Sequence, residues 1–536
     1  MADIQYGHTR SAPGAFTGYK MSSDIYESEG SSPMCNPVIR GYFSDWFVYK
    51  PLAATSFPGF PSTMTSDFKP MIEANTKILE GNLPDLNELV YSFLEVKQGV
   101  DSSLKTYTPN PDWVGFAMVY DPWADLGKPK DIQWGVPSKE QLWINDHVGY
   151  FREKNDSGMK FDPSPSNSDF PYSWMNHGLM DAFGNYKLGQ PDEPRKMFGI
   201  GGYGDQYVEG WKAALAHPDR FATSLLDLAQ HYHIDGGVDL DWEPLSQVTD
   251  TLKSMGGSTK PLTDLVDAIK SEASSRGIDD YKVTFAICVD QKQIGDFNGL
   301  DQDQNNPAAY YGWANLMSHV DQLGIMGYDM HGAFDNPKTT GLHSILFPVA
   351  GDTSGFSDFG AINWLNGGEG IPFSQMILGI PAYARSVSGV TEKGLGVPFT
   401  GAYRGDIDDQ EGPATGVTSY RWITKNILPQ NIVEVLSTDP SGVATGSVPT
   451  GAYAYQDGVF HSFDTVNTAK HKAIYSTALG LGGNMIWSIE SDGEGVYSLA
   501  KVLHDEWENY LHVNEIVCSM NNDSAVHSSS YCTSCA

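Results

Sequence analysis

Short runs of apolar and β-branched residues recur along the chain, and most are followed by a segment with the apolar period of a helix. Runs of about four to eight such residues, bounded by turn-forming residues, predict strands buried in a sheet. The predicted strands are Val38–Phe43, Leu89–Val96, Met197–Gly201, Gly237–Glu243, Val283–Val289, Gln322–Tyr328, Met376–Pro381 and Asn484–Ile489.

Helical periodicity follows several of these strands. Amphipathic helices are predicted at Trp211–His231, Leu262–Arg276 and Thr468–Leu479. Strands that alternate with helices form parallel sheets whose strands are apolar throughout, because helices cover one face and the core covers the other. The pattern therefore predicts an α/β protein built as a (β/α)8 TIM barrel.

The chain is much longer than a barrel requires. It has 536 residues, whereas a typical barrel of this kind needs about 250. The surplus predicts a long insertion at residues 97–195, between strands two and three, and another at 386–465, between strand seven and its helix. The barrel would then occupy residues 36–385 and 466–514, with an unassigned N-terminal segment at 1–35 and a C-terminal tail at 515–536.

Composition narrows the class of protein. Hydrophobic residues make up 40% and charged residues 19%, and 34 Lys and Arg face 66 Asp and Glu, a net charge of −32. Nucleic acids and anionic membranes bind clustered basic residues, so this charge argues against both. Residues 1–8 lack the basic and apolar regions of a secretory signal, and no apolar run reaches about 18 residues. A soluble, acidic, globular protein with no recognisable export signal is predicted.

Five cysteines occur, too few and odd in number to form a disulfide framework for a chain of this length. Cys532 and Cys535 have the CxxC spacing, but no second Cys or His pair accompanies them, so no zinc site is predicted. The remaining cysteines are Cys35, Cys288 and Cys518.

The most informative segment is the fourth strand, which carries three acids at alternate positions. Side chains on a strand alternate with period two, so Asp239, Asp241 and Glu243 share one face. Like charges in a poorly solvated place raise one another's pKa, which is one way to keep a general acid protonated near neutral pH. Glu243 precedes Pro244, which ends the strand at the rim where barrel active sites lie, so it is the candidate proton donor. A solvated acidic edge or a Mg²⁺ or Ca²⁺ site is the alternative, although such ions need oxygen ligands from several elements.

The segment Val238–Glu243 resembles the DxxDxDxE signature of the family-18 glycoside hydrolases, the retaining chitinases, and the similarity extends from Val38 to about Glu506. Residues 386–465 resemble the α+β insertion domain of the bacterial chitinase A type. Further matching segments are Tyr42–Trp46 on the first strand, Gly199–Tyr203 at the SxGG motif, Met326–Asp329 at the MxYD motif, Tyr383–Arg385 at the end of strand seven and Trp487 on strand eight.

Two positions depart from the family pattern. Gly236 stands where the first Asp of the signature belongs, with Asp235 one residue earlier, and strand parity would put Asp235 on the face of Asp239. Gly199 replaces the Ser of SxGG, which removes a hydroxyl beside the acids.

The resemblance implies substrate-assisted hydrolysis of chitin, with no cofactor and no metal ion. Glu243 would act as acid and base, Asp241 would orient the substrate's acetamido group, Asp239 would share a proton with Asp241, and Tyr328 would donate to the acetamido oxygen. The implied substrate-binding residues are Trp487, Met326, Asp329, Tyr383, Arg385, Trp46, Tyr42 and Phe334.

Other functions remain open on the sequence. A chitin-binding lectin would keep the barrel but typically lacks the signature Glu, which is present here as Glu243. An endo-β-N-acetylglucosaminidase acting on glycoprotein glycans would be an enzyme of related chemistry. The expected partners are chitin or chitooligosaccharides, the expected action is extracellular, and membership of a larger toxin complex is compatible with the unassigned tails.

Overall fold

A computed structural model gives the architecture of the chain. It describes residues 37–46, 86–96, 114–119, 125, 152–155, 158–161, 179–302, 311–368, 370–408, 413–440, 442 and 446–510. The predicted tails at 1–35 and 515–536, most of the insertion at 97–195, and every cysteine except Cys288 lie outside these residues.

Eight parallel strands form a closed barrel, which confirms the predicted fold class. Each strand pairs with the next one along the chain, and the eighth pairs with the first, so the sheet has no open edge between them. The barrel strands are β1 (Val38–Ser44), β2 (Glu88–Val96), β3 (Arg195–Tyr203), β4 (Gly237–Glu243), β5 (Lys282–Cys288), β6 (Gln322–Met326), β7 (Met376–Pro381) and β8 (Gly483–Trp487).

Helices cover the outside of the barrel, and β4 shows how the sequence supports this arrangement. Its even-numbered residues are apolar and face the helices: Trp242 is buried and stacks on Trp211 at 4.9 Å between ring centroids. Its odd-numbered acids therefore face the barrel interior. The helices are Leu179–Asn185, Val208–Ala216, Pro218–His231, Leu245–Ser254, Lys260–Ser275, Gln291–Asn298, Gly312–Met317, Asp358–Asn363, Val466–Leu479 and a last one at 499–510.

Most predicted elements differ from the structure by one or two residues at an end, and three differences change the course of the chain. The segment Trp211–His231 is not one helix but the end of Val208–Ala216 and all of Pro218–His231, because Pro218 cannot continue a helix but can begin one. Strand β6 ends at Met326, not at Tyr328, and β8 ends at Trp487, not at Ile489. The chain turns at both places, which brings the residues after each strand into the mouth of the barrel.

A second sheet lies between β7 and the helix Val466–Leu479 and begins three residues before the predicted second insertion at 386–465. Tyr383–Arg385, predicted at the end of strand seven, therefore lie in this second sheet. Its first strand, Tyr383–Ser388, follows β7 after only one intervening residue, Ala382. The predicted domain boundaries themselves stay a prediction. The other members are Gly401–Ala402, Val417–Ser419, Ile432–Thr438, Ser447–Gln456 and Val459–Phe463, with the helix Tyr420–Asn426 beside them.

A buried ion pair supports the turn after β6. Lys472 and Asp464 are fully buried, and Lys472 Nζ lies 2.8 Å from Asp464 Oδ2. The hydroxyl of Ser344 lies 2.9 Å from the same carboxylate and 2.7 Å from the carbonyl oxygen of Gly327. The pair thus anchors the backbone immediately before Tyr328 and Asp329.

No helix among the described residues is long and apolar enough to cross a membrane.

Candidate active site

The three acids of β4 run from the barrel interior to its mouth. Asp239 is fully buried, Asp241 is nearly so, and Glu243 is half-buried at the end of the strand. The pairing register places Asp239 between Gly199 of β3 and Thr284 of β5, and Glu243 beside Tyr203. The predicted file of acids is therefore present, with its last member open to the mouth.

Glu243 has the protonation behaviour of a general acid. Burial raises its pKa to about 7, the negative charge of Asp329 contributes to this rise, and the positive charge of Arg385 opposes it. A carboxyl with this pKa is substantially protonated near neutral pH and can also accept a proton. The residue can therefore act as acid and then as base in one reaction.

Asp241 lies between the other two acids and is not hydrogen-bonded to either. Burial raises its pKa well above the ordinary range, and the charges of Glu243 and Asp239 raise it further. Its buried Oδ1 atom has no hydrogen-bond partner among the described residues. A buried polar atom of this kind is costly unless a partner is supplied, so Asp241 is suited to bind a polar group that enters the barrel mouth.

Asp239 is held by hydroxyl groups from two other strands. Tyr42 donates to its Oδ2 atom at 2.9 Å, and Thr284 donates to its Oδ1 atom. Tyr42 itself is only 3% exposed. It therefore supports Asp239 from within the barrel, and its predicted place among the substrate-binding residues stays a prediction.

Asp329 forms a tight cluster with two residues of the second sheet. Tyr383 donates to its Oδ1 at 2.7 Å, and Arg385 donates to both carboxylate oxygens at 2.6 and 2.5 Å. Burial would raise the pKa of Asp329, but Arg385 and the nearby His343 hold it well below its usual range. Asp329 has a φ of 59°, a left-handed conformation that Asp adopts more readily than most residues. This turn directs its carboxylate toward Arg385.

The cluster leaves part of its surface open to the cleft. The side chain of Asp329 is 38% exposed and that of Arg385 is 18% exposed. The ring of Phe334 lies 5.7 Å from the guanidinium of Arg385 and is 58% exposed. Tyr328 lies beside the cluster, 6.0 Å from the ring of Tyr383. Burial raises the pKa of Tyr328 well above its ordinary value, so its hydroxyl stays protonated and able to donate.

Aromatic rings carried by β8, β1 and β2 form another part of the mouth. Trp487, at the end of β8, contacts Tyr42 at 5.4 Å and Trp46 at 6.0 Å between ring centroids. Phe93 of β2 stacks on Trp487 at 5.4 Å and on Trp46 at 5.8 Å. Met326 and Trp487 both pack against a buried apolar cluster that includes Tyr42. Flat apolar surfaces of this kind suit the C–H faces of sugar rings.

All twelve residues predicted for the site lie at or just below the barrel mouth, although their roles stay predictions. Asp235 does not: it is exposed and precedes the start of β4, so the suggestion that it shares the face of Asp239 is wrong. Residues that the sequence reasoning missed are Phe93, Arg40, Thr284, Glu88 and His343. The sequence could have indicated Arg40: it is a charged residue in an otherwise apolar strand, and it lies two positions before Tyr42, so both side chains face the barrel interior.

The described residues contain no group of three or more His, Cys, Asp or Glu side chains that could hold a metal ion.

Comparisons with known proteins support the fold and indicate one family. The family model described as Glycosyl hydrolases family 18 matches residues 38–492. Chitotriosidase-1 of Mus musculus is 25% identical over 417 residues, which cover 72% of this chain and 81% of the relative. Endochitinase of Brugia malayi is 26% identical over 363 residues, covering 63% of this chain and 64% of the relative. Chitinase C of Streptomyces lividans is 26% identical over 300 residues, which cover 55% of this chain and 42% of the relative. The chain thus spans less than two thirds of the last two relatives.

Solved structures share the fold. A GH18 chitinase from Cycas revoluta in complex with (GlcNAc)3 is 20% identical, with a TM-score of 0.53 over 88% of this chain and 99% of that one. Chitinase ChiA74 from Bacillus thuringiensis is 20% identical, with a TM-score of 0.58, and the match covers 88% of this chain and 69% of that one. At 20% identity, the similarity to these two structures supports the barrel fold alone. The family model, however, matches residues 38–492 of a chain of 536, and the chain therefore belongs to glycosyl hydrolase family 18.

Proposed function

We propose that this chain hydrolyses the β-1,4 linkages between N-acetylglucosamine units of chitin, with retention of configuration and with the substrate's acetamido group as nucleophile. The observation that carries the proposal is the arrangement of Glu243 and Asp241. The first is an acid at the barrel mouth with a pKa of about 7, and the second lies below it with an unpartnered buried oxygen. The names of the relatives, among them Endochitinase and Chitinase C, support the substrate class.

In the first step the glycosidic bond breaks. Glu243 donates its proton to the glycosidic oxygen, which departs with the electron pair of the bond to the anomeric carbon. The acetamido carbonyl oxygen forms a new bond to that carbon, giving a cyclic oxazolinium ion. Asp241 accepts a hydrogen bond from the acetamido N–H and opposes the positive charge, and Tyr328 donates to the carbonyl oxygen.

In the second step water opens the ring. The carboxylate of Glu243 takes a proton from a water molecule as the water oxygen attacks the anomeric carbon. The bond to the acetamido oxygen breaks, the acetamido group is restored and Glu243 is again an acid. Two displacements at one carbon leave the β configuration unchanged.

The walls of the cleft suit a neutral sugar polymer. Trp487 provides an apolar floor under the sugar whose bond is cleaved, with Met326 beside it, and Trp46 and Phe334 offer further stacking surfaces. Asp329, Tyr383 and Arg385 supply the polar edge. We further propose that the second sheet forms one wall of the cleft, as in the chitinase A type, and that the enzyme acts outside the cell. Membership of a toxin complex stays a prediction.

The product of a defined oligomer tests this function. With the hexamer of N-acetylglucosamine, NMR of the first products should show the β anomer, with the α anomer appearing only by slow mutarotation. Predominantly α product would refute the retaining mechanism. Cleavage of a high-mannose glycoprotein glycan but not of the hexamer would indicate an endo-β-N-acetylglucosaminidase, and binding without cleavage would indicate a lectin.

The Asp329→Asn variant should shift the alkaline limb of the pH profile of kcat/KM toward lower pH. In the wild type this limb should lie near pH 7, where Glu243 loses its proton. The charge of Asp329 raises the pKa of Glu243 and that of Arg385 lowers it, so removing the negative charge lowers this pKa, by about one unit. Asp335→Asn is the matched control, since Asp335 lies on the same loop but pairs with His331. An unmoved limb in Asp329→Asn, or an equal shift in the control, would contradict the assignment.

A further inference from the structure

A buried network of charges lies beneath the acids of β4, on the side of the barrel away from its mouth. Arg40 of β1 is fully buried, and its Nε and Nη2 atoms donate to Glu88 Oε2 at 3.1 and 2.9 Å. Lys282 Nζ lies 2.5 Å from the other oxygen of Glu88. Arg195 Nε lies 3.7 Å from that second oxygen. Glu88 is therefore shared among three cations, which leaves part of the charge of Arg40 for another partner.

That partner is Asp239. The Nη1 atom of Arg40 lies 3.8 Å from Asp239 Oδ1 and donates at 3.2 Å to Thr284 Oγ1. Thr284 in turn donates its only proton to Asp239 Oδ1. Arg40 therefore acts on Asp239 in two ways, directly through its charge and indirectly by orienting the hydroxyl of Thr284.

The hydrogen bonds and the charges agree on the protonation state of Asp239. Both of its oxygens accept from hydroxyl groups, Oδ1 from Thr284 and Oδ2 from Tyr42. A guanidinium is always charged in proteins. Arg195 also pairs with Asp280. With Asp239 ionised, the cations Arg40, Lys282 and Arg195 are therefore balanced by Glu88, Asp280 and Asp239. With Asp239 neutral, the fully buried Arg40 would lose part of its compensation, which is costly.

Among the described residues, the groups that face Asp239 from the neighbouring strands include a single cation. Strand β3 presents Gly199, where an added Cβ would lie 3.0 Å from Ser92 Oγ, and β5 presents Thr284. Strand β1 supplies Arg40 and Tyr42, and β4 supplies Asp241 above. Asp235 is exposed outside this region. Among the described residues that face it, Arg40 is thus the cation that balances Asp239.

We propose that Arg40 is a positioning residue for this active site: it holds Asp239 as a carboxylate beneath Asp241, and these two residues form the lower acid pair. The inference rests on the proposed function only for its kinetic consequence. Asp239, with both oxygens occupied, does not tie down Asp241, whose own carboxyl remains free to turn toward the substrate. Arg40 lies below the mouth, where it faces Glu88, Asp239 and Tyr42, and it touches no substrate.

The Arg40→Met variant should move the acidic limb of the kcat profile to higher pH. Loss of the cation makes protonation of the lower acid pair easier, by about one to three pH units for a charge at this distance. The KM for the hexamer of N-acetylglucosamine should stay within about twofold, because Arg40 does not contact the sugar. Arg40→Lys should restore part of the shift. Lys282→Met is the matched control: it removes a cation from the same Glu88 without contact with Asp239, and its acidic limb should stay in place.

A stability cycle tests the charge pairing without any activity. Arg40→Met should lower the melting temperature at pH 7, and the double variant Arg40→Met/Asp239→Asn should recover part of that loss. Rescue by Glu88→Gln but not by Asp239→Asn would overturn the proposal, as would equal shifts of the acidic limb in Arg40→Met and Lys282→Met. If Arg40→Met does not fold, Thr284→Val takes its place, because this variant removes the hydroxyl that donates to Asp239 and keeps the charge of Arg40. The acidic limb of the kcat profile of Thr284→Val should also move to higher pH. An unmoved limb would overturn the proposal. A wild-type protein that leaves the hexamer intact would refute the proposed function, while the stability cycle would still decide the role of Arg40.

Discussion

Replacing Glu243 with Gln should lower kcat on the hexamer of N-acetylglucosamine by roughly 10²- to 10⁴-fold, the contribution typical of a general acid. Glutamine keeps the shape of the side chain but has no proton to give to the leaving oxygen and cannot activate water. The measurement is steady-state turnover at pH 6, followed by separation of the products. Glu494→Gln is the matched control, because Glu494 is an exposed acid beyond the end of β8 that pairs with Lys425. Turnover within a few-fold of the wild type in Glu243→Gln would remove Glu243 from the mechanism.

The same variant should be more stable than the wild type at alkaline pH. Folding raises the pKa of Glu243 from about 4.5 to about 7, so the ionised carboxyl destabilises the folded state above pH 7, and this cost disappears as the pH falls toward 4. Glutamine removes the cost, which is at most about 3 kcal/mol. Melting temperatures measured at pH 8 and pH 4 should therefore show a gain at pH 8 that closes at pH 4. An equal effect at both pH values would mean that the gain has another origin.

The Asp241→Asn variant should lose roughly 10²- to 10³-fold in kcat with little change in KM, as expected when a group stabilises charge that develops only in the transition state. Asparagine can still accept a hydrogen bond from the acetamido N–H, but it cannot carry the negative charge that opposes the oxazolinium ion. Steady-state kinetics on the hexamer provide the measurement. Asp250→Asn, an exposed acid on the helix Leu245–Ser254, is the control.

A rise in KM with kcat unchanged would contradict the assignment of Asp241, because it would mean that the residue binds the ground state and the transition state equally.

The barrel could be predicted from the sequence because its strands are buried on both faces and its helices are amphipathic. Strands such as Gly237–Glu243 and Met376–Pro381 coincide with their predicted bounds. The break between the helices at Pro218 was missed because apolar residues continue at helical spacing on both sides of it. The early end of β6 was missed because the chain beyond Met326 is held by the distant residues Ser344 and Asp464, and no local pattern records such contacts.

The acids of β4 could be found because period two along a single strand is a local property. The support beneath them could not, because it depends on register between strands far apart in the chain. Arg40 and Thr284 are separated by 244 positions and meet only because the barrel closes. The same limit explains the error at Asp235: parity holds along a strand, but this residue lies before the strand begins.

The strand Tyr383–Ser388 belongs to the second sheet and yet supplies Tyr383 and Arg385 to the barrel carboxylate of Asp329. The two sheets are therefore joined through the polar edge of the cleft itself, not through a remote linker. If residues 383–463 were exchanged for the corresponding part of a relative, Asp329 would lose two hydrogen-bond partners, Tyr383 and Arg385, together with the cleft wall. Exchanging this sheet would therefore change two properties at once, the substrate specificity of the cleft and the pKa of Glu243, which depends on the charges of Asp329 and Arg385. A design that exchanges the wall must also restore this pair of charges.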